Sequence, residues 1–162
     1  MSLNELQKIK TIFSSLNLHP TYLEHEPVIT SEDAAKTRGF ALKQGIKALI
    51  FTDGKGSWVV VNVPADMKVD QKKVAAARGW SKGSTRMATP DEVLEVTGCE
   101  IGSVPPFGHR TSIPILVDSS VYDNTESAFN IGLRTNSVRI PTIEMRIVFK
   151  EVDAQEGQFV KE

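Results

Sequence analysis

Apolar positions near the start of the chain recur every three or four residues. Leucine, isoleucine and phenylalanine keep this spacing across residues 3–16, which predicts an amphipathic helix. Three further helices are indicated by capping side chains at their starts and glycines at their ends, over residues 30–39, 70–79 and 89–98. The four segments together predict a chain that is helical at several separate places.

Strands are indicated by short apolar runs between turn signals. Residues 46–52 and 57–63 flank the Asp-Gly turn Asp53–Gly56, which is typical of a β-hairpin. The second run is continuously apolar, so we expect it to be covered on both faces. Shorter strands are predicted at residues 22–25 and 113–117, and a second hairpin is predicted from residues 128–133 and 137–140.

The C-terminal part has a less distinct pattern. Apolar residues alternate from Ile143 to Phe149 as in a strand, but a helix also fits. The last ten residues, 153–162, are polar, and we expect them to fray. No repeat or linker divides the chain, so we expect a single domain over residues 1–162. Helices interspersed with hairpins predict an α/β (α+β) fold, with a mixed, largely antiparallel sheet and surrounding helices.

The composition is that of an ordinary globular protein. Hydrophobic residues make up 40% of the 162 residues and charged residues 24%, which argues against disorder. No apolar stretch approaches the roughly 20 residues of a membrane helix, and the N-terminus lacks the apolar core of a signal peptide. The single cysteine, Cys99, excludes an intrachain disulfide. We therefore expect a cytoplasmic protein with no membrane partner.

The charge is unevenly distributed along the chain. The formal net charge is −1 at pH 7, yet residues 68–86 carry six basic side chains and one acid, Asp70. We call this cluster the basic patch; its members are Lys68, Lys72, Lys73, Arg78, Lys82 and Arg86. Such a cluster can bind phosphates and attract a polyanion even on a neutral protein. A solvated helix face is the alternative interpretation.

Two segments carry candidate chemistry. Lys47 opens an otherwise apolar strand, and a desolvated ammonium needs a partner. Residues Gly102–Gly108, here called the Pro-Pro loop, form a stiff glycine-flanked turn that a small molecule can approach closely. Together they predict a pocket with one cationic anchor and one wall of backbone. Alternatively, Lys47 extends its ammonium to water, and Pro105-Pro106 is only a stiff connector.

Several familiar catalytic arrangements are absent from the sequence. It contains no Walker-type or dinucleotide-binding glycine loop and no Gly-x-Ser-x-Gly elbow. The three histidines have no metal-ligand spacing with one another or with Cys99. We expect a structural role for this cysteine, and neither a metal site nor a cofactor.

A series of motifs follows in order along residues 20–140. After His25-Glu26-Pro27 these are Thr30–Ala35, Ile46–Phe51, Ala75–Val93, Gly102–Gly108, Ile115–Asp118 and Phe129–Gly132. In this combination the sequence resembles the YbaK/EbsC family, the editing domains associated with prolyl-tRNA synthetase and their free-standing relatives. Single pieces such as Gly-x-x-x-Pro would indicate little alone, but the ordered series is specific.

The resemblance implies a free-standing deacylase that acts in trans on a mischarged tRNA carrying a small amino acid. In the family, the lysine corresponding to Lys47 lies by the 3′ end of the substrate, and the loop corresponding to Gly102–Pro106 holds the aminoacyl carbonyl. The resemblance also implies little side-chain catalysis: a ribose hydroxyl of the substrate helps water attack, or, for cysteine, the substrate thiol itself attacks. The implied partner is tRNA, through its aminoacylated 3′ end and acceptor stem, with an aminoacyl-tRNA synthetase as a further candidate.

On this basis Lys47, Gly102 and Ser103 are the candidate catalytic residues, with loop N–H groups as an oxyanion hole. The candidate substrate-binding residues flank them and are Val104, Pro105, Pro106, Phe107, Gly108, Asp118, Asn130, His25 and Thr30. The basic patch would hold the acceptor stem through its phosphates. As structural alternatives, Ser103 bonds its own backbone and Asp118 caps the next turn.

Two other functions fit the same residues. A noncatalytic tRNA- or synthetase-binding module would keep the fold and the basic patch without turnover. An enzyme that acts on another small ester or amide would keep the pocket but would not use the patch. Salt distinguishes binding through phosphates from binding of a small ester, because only the former weakens steeply with ionic strength.

Overall fold

The computed structural model describes residues 3–27, 36 and 41–162. Within these residues, the helices are α1 (Leu3–Ser15), α2 (Gln71–Arg78), α3 (Pro90–Thr97) and α4 (Thr142–Glu151). The helix predicted over residues 30–39 lies outside the described residues, apart from residue 36. The first three helices confirm the predicted ones at residues 3–16, 70–79 and 89–98.

Eight strands form two sheets. The strands are β1 (Thr21–Glu24), β2 (Ile46–Thr52), β3 (Trp58–Pro64), β4 (Arg86–Met87), β5 (Ile115–Asp118), β6 (Glu126–Asn130), β7 (Asn136–Pro141) and β8 (Gln155–Gly157). The larger sheet has the order β4-β2-β3-β5-β8 and the smaller one the order β1-β7-β6. Strand β3 pairs antiparallel with β2 and parallel with β5. The mixed α+β class predicted from the sequence is therefore confirmed.

Strand β3 is buried on both faces, as its continuous apolar run predicts. Val60 belongs to a cluster with residues of α1 and the smaller sheet. Val61 and Val63 belong to a second cluster, with Val74 of α2. Full burial of such a side chain contributes about 1.5–3 kcal/mol. The larger sheet therefore separates two apolar layers, and side chains along β2 alternate between them.

Helices α2 and α3 begin at the capping residues that the sequence indicates. The Asp70 carboxylate accepts a hydrogen bond of 3.0 Å from the Lys72 amide, and Gly79 ends the helix with φ 69°. At α3, Thr89 Oγ1 accepts from the Glu92 amide at 3.2 Å, and Glu92 Oε1 accepts from the Thr89 amide at 2.8 Å. This reciprocal capping box fixes the start of α3.

The ambiguous segment after Pro141 is a helix. Its buried side chains are Thr142, Met145, Val148 and Phe149, which follow helical and not strand spacing. Ile143 and Ile147 complete the alternating pattern that suggested a strand. Both are exposed, at 75% and 48%, so they do not belong to the buried face. Two surface isoleucines therefore imitate a strand pattern on a helix.

The expectation that the C-terminus frays was wrong. Strand β8 pairs with β5, and Val160 bridges to Val69. The Phe159 side chain is 3% exposed, and its amide donates to Asp118 Oδ1 at 2.7 Å. The buried ring of Phe159 and the backbone pairing of this segment together anchor it, and its polar composition does not reveal either.

The Pro-Pro loop is held from beneath by two anchors. Phe107 is fully buried, with its ring 5.6 Å from that of Phe13 and 6.2 Å from that of Phe129. The buried Asn62 amide donates to the Pro106 carbonyl at 3.1 Å and to the Leu116 carbonyl at 3.2 Å. The loop is therefore a rigid wall fixed to the core.

His109 is the third anchor of the loop. Its Nε2 donates to the Pro105 carbonyl at 2.6 Å, and its own carbonyl accepts from Lys8 Nζ at 2.9 Å. Burial lowers the pKa of His109 to about 4, partly offset by the Pro105 hydrogen bond and reinforced by the charge of Lys8. The ring is therefore neutral at physiological pH.

This pKa predicts acid sensitivity. Because the folded pKa lies below the unfolded value, the stabilisation is complete above about pH 6.5 and is lost as the pH falls toward 4. Between about pH 7 and pH 4.5, this group should lower the free energy of unfolding by roughly 2 kcal/mol. Urea denaturation of the wild type and of His109→Gln at both pH values measures it. Parallel losses of stability in the two proteins would contradict a buried neutral histidine.

Candidate active site

The two sheets meet at a parallel bridge between Gly45 and Ala128. Two residues further along each strand are Lys47, in β2, and Asn130, the last residue of β6. Bridged residues of parallel strands point the same way, and side chains two residues apart share a face. Lys47 and Asn130 therefore lie on the same face of the junction, one on each strand.

Neighbouring side chains support this assignment of faces. Ile46 and Phe129, one residue before Lys47 and Asn130, both belong to the cluster that contains α1. Leu49, on the face of Lys47, packs against the cluster of α2. Lys47 itself is half-buried and lies opposite Val63 of β3. Its side chain therefore leaves the sheet on the side covered by α2.

Asn130 connects this face to the Pro-Pro loop. Its Nδ2 donates to the carbonyl of Gly102, and the residue is 9% exposed. Gly102 is exposed and has a φ of 87°, a left-handed conformation that a residue with a side chain would adopt only under strain. One side-chain amide therefore joins the end of β6 to the Pro-Pro loop.

A chain of hydrogen bonds continues behind Asn130. The Ser137 hydroxyl donates to Asn130 Oδ1 at 2.9 Å, and His25 Nε2 lies 2.7 Å from Ser137 Oγ. His25 Nδ1 lies 2.8 Å from the Glu26 carbonyl. The sequence analysis included His25 and Asn130 but missed Ser137. The signal for it was the register of the second hairpin, which sets Ser137 directly opposite Asn130.

The polar groups of Ser103 are all used within the protein. Its amide and its hydroxyl donate to the Glu100 carbonyl at 3.0 and 2.7 Å, and its carbonyl accepts from the Gly132 amide at 3.0 Å. Within the described part of the chain, the Gly102 and Val104 amides donate no hydrogen bond. The Phe107 and Gly108 amides also donate none among the described residues, but only Gly102 and Val104 line the pocket described next.

A pocket of about 200 Å³ adjoins these two amides. It lies between the Pro-Pro loop, the outer edge of β2 and the start of α3, where Val93 and Val104 line it. From β2 it is lined by Ala48 and Ile50, on the face opposite Lys47, and by Leu49, on the face of Lys47. Every lining side chain identified within the described residues is apolar. The pocket is small enough to select for size, and the apolar lining gives a bound side chain no charged partner.

Asp118 lies apart from these groups. Strand β3 separates it from β2, and the register places Val63 between Asp118 and Lys47. Its Oδ2 accepts from the Ser120 amide at 3.0 Å, while Oδ1 accepts from the Phe159 amide at 2.7 Å. The carboxylate thus caps the following turn and fixes the C-terminus. The remaining candidate, Thr30, lies outside the described residues.

The basic patch lies on α2 and the turns around it, and its members differ in availability. Arg86 makes two hydrogen bonds to Glu92, of 2.7 and 3.0 Å, and these hold the pKa of Glu92 at about 2. Lys73 donates to the Val160 carbonyl at 2.9 Å, and Arg78 is half-buried. The exposed lysines of the patch are Lys68, Lys72 and Lys82.

Nowhere in residues 3–27, 36 and 41–162 do three or more His, Cys, Asp or Glu side chains form a group that could hold a metal ion. None of the described helices combines the length and apolar character needed to cross a bilayer. Cys99 is buried, in agreement with the structural role expected for it.

Comparisons with known proteins bear on these groups. Residues 25–147 match the family model for the aminoacyl-tRNA editing domain. The chain is 31% identical over 151 residues to the multifunctional Ser/Thr-tRNA deacylase ProXp-y of Escherichia coli, covering 90% of this chain and 89% of that protein. It is 38% identical over 118 residues to the uncharacterized protein YwhH of Bacillus subtilis, covering 72% and 73%.

A solved structure extends the likeness to the whole fold. A candidate trans-editing enzyme for prolyl tRNA synthetase superposes with a TM-score of 0.82 and 25% identity, covering 98% of each chain. The matched residues include Lys47, the Pro-Pro loop and Asn130. The resemblance indicated by the motifs is confirmed: the chain belongs to the family of aminoacyl-tRNA editing domains.

Proposed function

We propose that this protein is a free-standing deacylase of the cytoplasm, which hydrolyses the ester between a small, wrongly attached amino acid and the terminal adenosine of a tRNA. One observation carries the proposal. Lys47 and Asn130 share a face of the sheet junction, and Asn130 holds the loop beside a small apolar pocket. The E. coli relative, named as a Ser/Thr-tRNA deacylase, supports small amino acids as substrates.

The loop amides would stabilise the reacting carbonyl. An oxyanion hole needs preorganised donors, and each one typically lowers the barrier by about 2.7–4 kcal/mol. The Gly102 and Val104 amides meet this need because neither donates elsewhere in the described structure and both residues line the pocket. The Ser103 amide is engaged by Glu100, so we assign the two donors to Gly102 and Val104.

The nucleophile would be a water molecule. The Ser103 hydroxyl donates to a carbonyl and Cys99 is buried, so neither side chain is placed to attack. In this proposal, water adds to the ester carbonyl, and a neighbouring ribose hydroxyl of the substrate relays its proton to the departing ribose oxygen. The carbon–oxygen ester bond breaks, leaving a free amino acid and an uncharged tRNA. An ester is activated enough for such modest assistance.

Lys47 would bind the end of the tRNA as a point charge. Its ammonium suits a phosphate or a ribose oxygen, since contacts between charged partners are roughly twice as strong as neutral ones. The position of Lys47, two residues beyond the bridge and on the face of Asn130, supports a charge on the side where Asn130 holds the loop carbonyl. The pocket of about 200 Å³ would take the amino-acid side chain and discriminate by about 1–3 kcal/mol per added group.

The exposed lysines would hold the acceptor stem. Lys68, Lys72 and Lys82 contribute charge without competing ion pairs among the described residues, whereas Arg86 is bound to Glu92. Contacts to phosphates position a nucleic acid without reading its sequence. The structural neighbour named for prolyl tRNA synthetase makes that synthetase the candidate partner for handing over mischarged tRNA.

The first test is hydrolysis of a panel of mischarged tRNAs. We expect ester loss from at least one tRNA carrying a small amino acid, and at least a tenfold slower rate for Lys47→Ala. That reduction follows if one charge-assisted contact worth about 1.5–3 kcal/mol is removed. Lys55→Ala, at the exposed hairpin turn, is the matched control and should retain the wild-type rate.

Two results would contradict the proposal. Absence of hydrolysis across the whole panel, with tRNA still bound, would favour a noncatalytic tRNA-binding module. Equal hydrolysis rates for wild type and Lys47→Ala would show that the lysine does not contribute to the active site.

The second test is the salt dependence of tRNA binding. The logarithm of the tRNA association constant falls linearly with the logarithm of the salt concentration. The magnitude of this slope should decrease by about 0.7–0.9 for each phosphate contact removed. We expect nearly twice that change for the double variant Lys72→Ala/Lys82→Ala, and no change for Lys150→Ala, whose exposed lysine lies on α4. An unchanged slope in the double variant would favour the alternative interpretation, in which the basic patch is a solvated helix face.

A further inference from the structure

We propose that Ser137 is a positioning residue of the active site. Its hydroxyl holds the Asn130 side chain in the orientation that fixes the carbonyl of Gly102, and His25 holds the hydroxyl in turn. The inference rests on the proposed deacylase function, because it concerns the loop that would bind the aminoacyl carbonyl.

The hydrogen bonds define a single orientation of the Asn130 amide. Its Nδ2 donates to the Gly102 carbonyl, so its Oδ1 must accept, and the Ser137 hydroxyl donates to it at 2.9 Å. His25 Nε2 lies 2.7 Å from Ser137 Oγ and is the second partner of this hydroxyl. Reversing the amide would bring two acceptors together at Gly102.

Because the Asn130 amide is buried, reversing its orientation would be energetically unfavourable. Ser137 is fully buried and Asn130 is 9% exposed, and an unpaired polar atom in such a place is strongly unfavourable. Three strands hold the partners in place. Ser137 pairs with Asn130 across β6 and β7 and with Leu23 of β1, and the His25 amide donates to the Thr135 carbonyl at 2.9 Å.

The Asn130 contact fixes the loop segment that carries the two unbonded amides at the pocket, those of Gly102 and Val104. The peptide joining Gly102 and Ser103 is held at both ends, its carbonyl by Asn130 and its N–H by the Glu100 carbonyl. The adjoining peptides carry the N–H groups of Gly102 and Val104. Without the Asn130 contact, the peptide that joins Gly102 to Ser103 loses the hydrogen bond to its carbonyl, and the direction of the neighbouring Gly102 amide is no longer fixed.

The remaining anchors of the loop do not replace this contact. Asn62 and His109 hold the carbonyls of Pro106 and Pro105, which lie beyond the pocket end of the loop. The Gly132 amide holds the carbonyl of Ser103. Of the described side chains, only Asn130 is hydrogen-bonded to the carbonyl of Gly102.

The experiment compares Ser137→Ala with Ser137→Thr in the full chain, on the mischarged tRNA that the wild type hydrolyses fastest. Ser137→Ala should lower kcat about tenfold and change KM less than about twofold, because a misplaced donor weakens the transition state and not tRNA binding. Ser137→Thr retains the hydroxyl and should recover kcat to within about threefold of the wild type. Equal kcat in wild type and Ser137→Ala would overturn the proposal, as would an effect confined to KM.

A second pair of variants guards against misfolding at the buried serine. His25 is only half-buried, and His25→Gln keeps a polar partner for Ser137 that His25→Ala lacks. We expect kcat to fall in the order wild type, His25→Gln, His25→Ala. Equal rates for these two variants would overturn the role of His25 in holding the hydroxyl.

The last readout needs no substrate and separates this inference from the proposed function. NMR should show slow hydrogen exchange of the Asn130 side-chain amide in wild type and Ser137→Thr, and exchange at least about tenfold faster in Ser137→Ala. Failure of the wild type to hydrolyse any tRNA would defeat the deacylase function while leaving this test in force. Unchanged exchange in Ser137→Ala would overturn the positioning role.

Discussion

The hydrogen bond from Asn130 to the carbonyl of Gly102 is the contact on which the candidate site depends. It joins the smaller sheet to the Pro-Pro loop at the place where the two sheets meet. The bridge between Gly45 and Ala128 sets the register there, so the lysine two residues further along β2 comes to the same face. A one-residue slip in either strand would turn Lys47 or Asn130 to the opposite face.

The two ends of the Pro-Pro loop differ in what they contact. Phe107 and the carbonyls of Pro105 and Pro106 face the core, where an aromatic cluster, His109 and Asn62 hold them. The end near Gly102 presents two backbone amides instead. Stiffness is useful here, because an oxyanion hole is effective when its donors need no reorganisation as charge develops. Most of the loop side chains are therefore structural, and in the proposed function the chemistry would fall to the backbone.

Local signals made much of the fold predictable. Caps defined α2 and α3, and the Asp-Gly turn defined the hairpin of β2 and β3, because these features depend on residues close together in sequence. The site was predictable as far as Lys47, the loop and Asn130, through their family motifs. Ser137 and Asn62 could not be found this way, since their roles depend on strand register and on a loop 44 residues from Asn62. The pairing of Arg86 with Glu92, and the anchoring of the tail by Phe159, likewise depend on packing between elements.

The central claim is that backbone amides of the Pro-Pro loop receive the substrate carbonyl on the face shared by Lys47 and Asn130. NMR of the ¹⁵N-labelled protein tests it most directly, with an adenosine that carries alanine through a non-hydrolysable amide bond at its 3′ position. The Gly102 and Val104 amide protons should move downfield on binding, while the amide of Ser103, already bonded to Glu100, stays in place. Shifts confined to other parts of the chain, or a Ser103 shift as large as those of its neighbours, would contradict the claim.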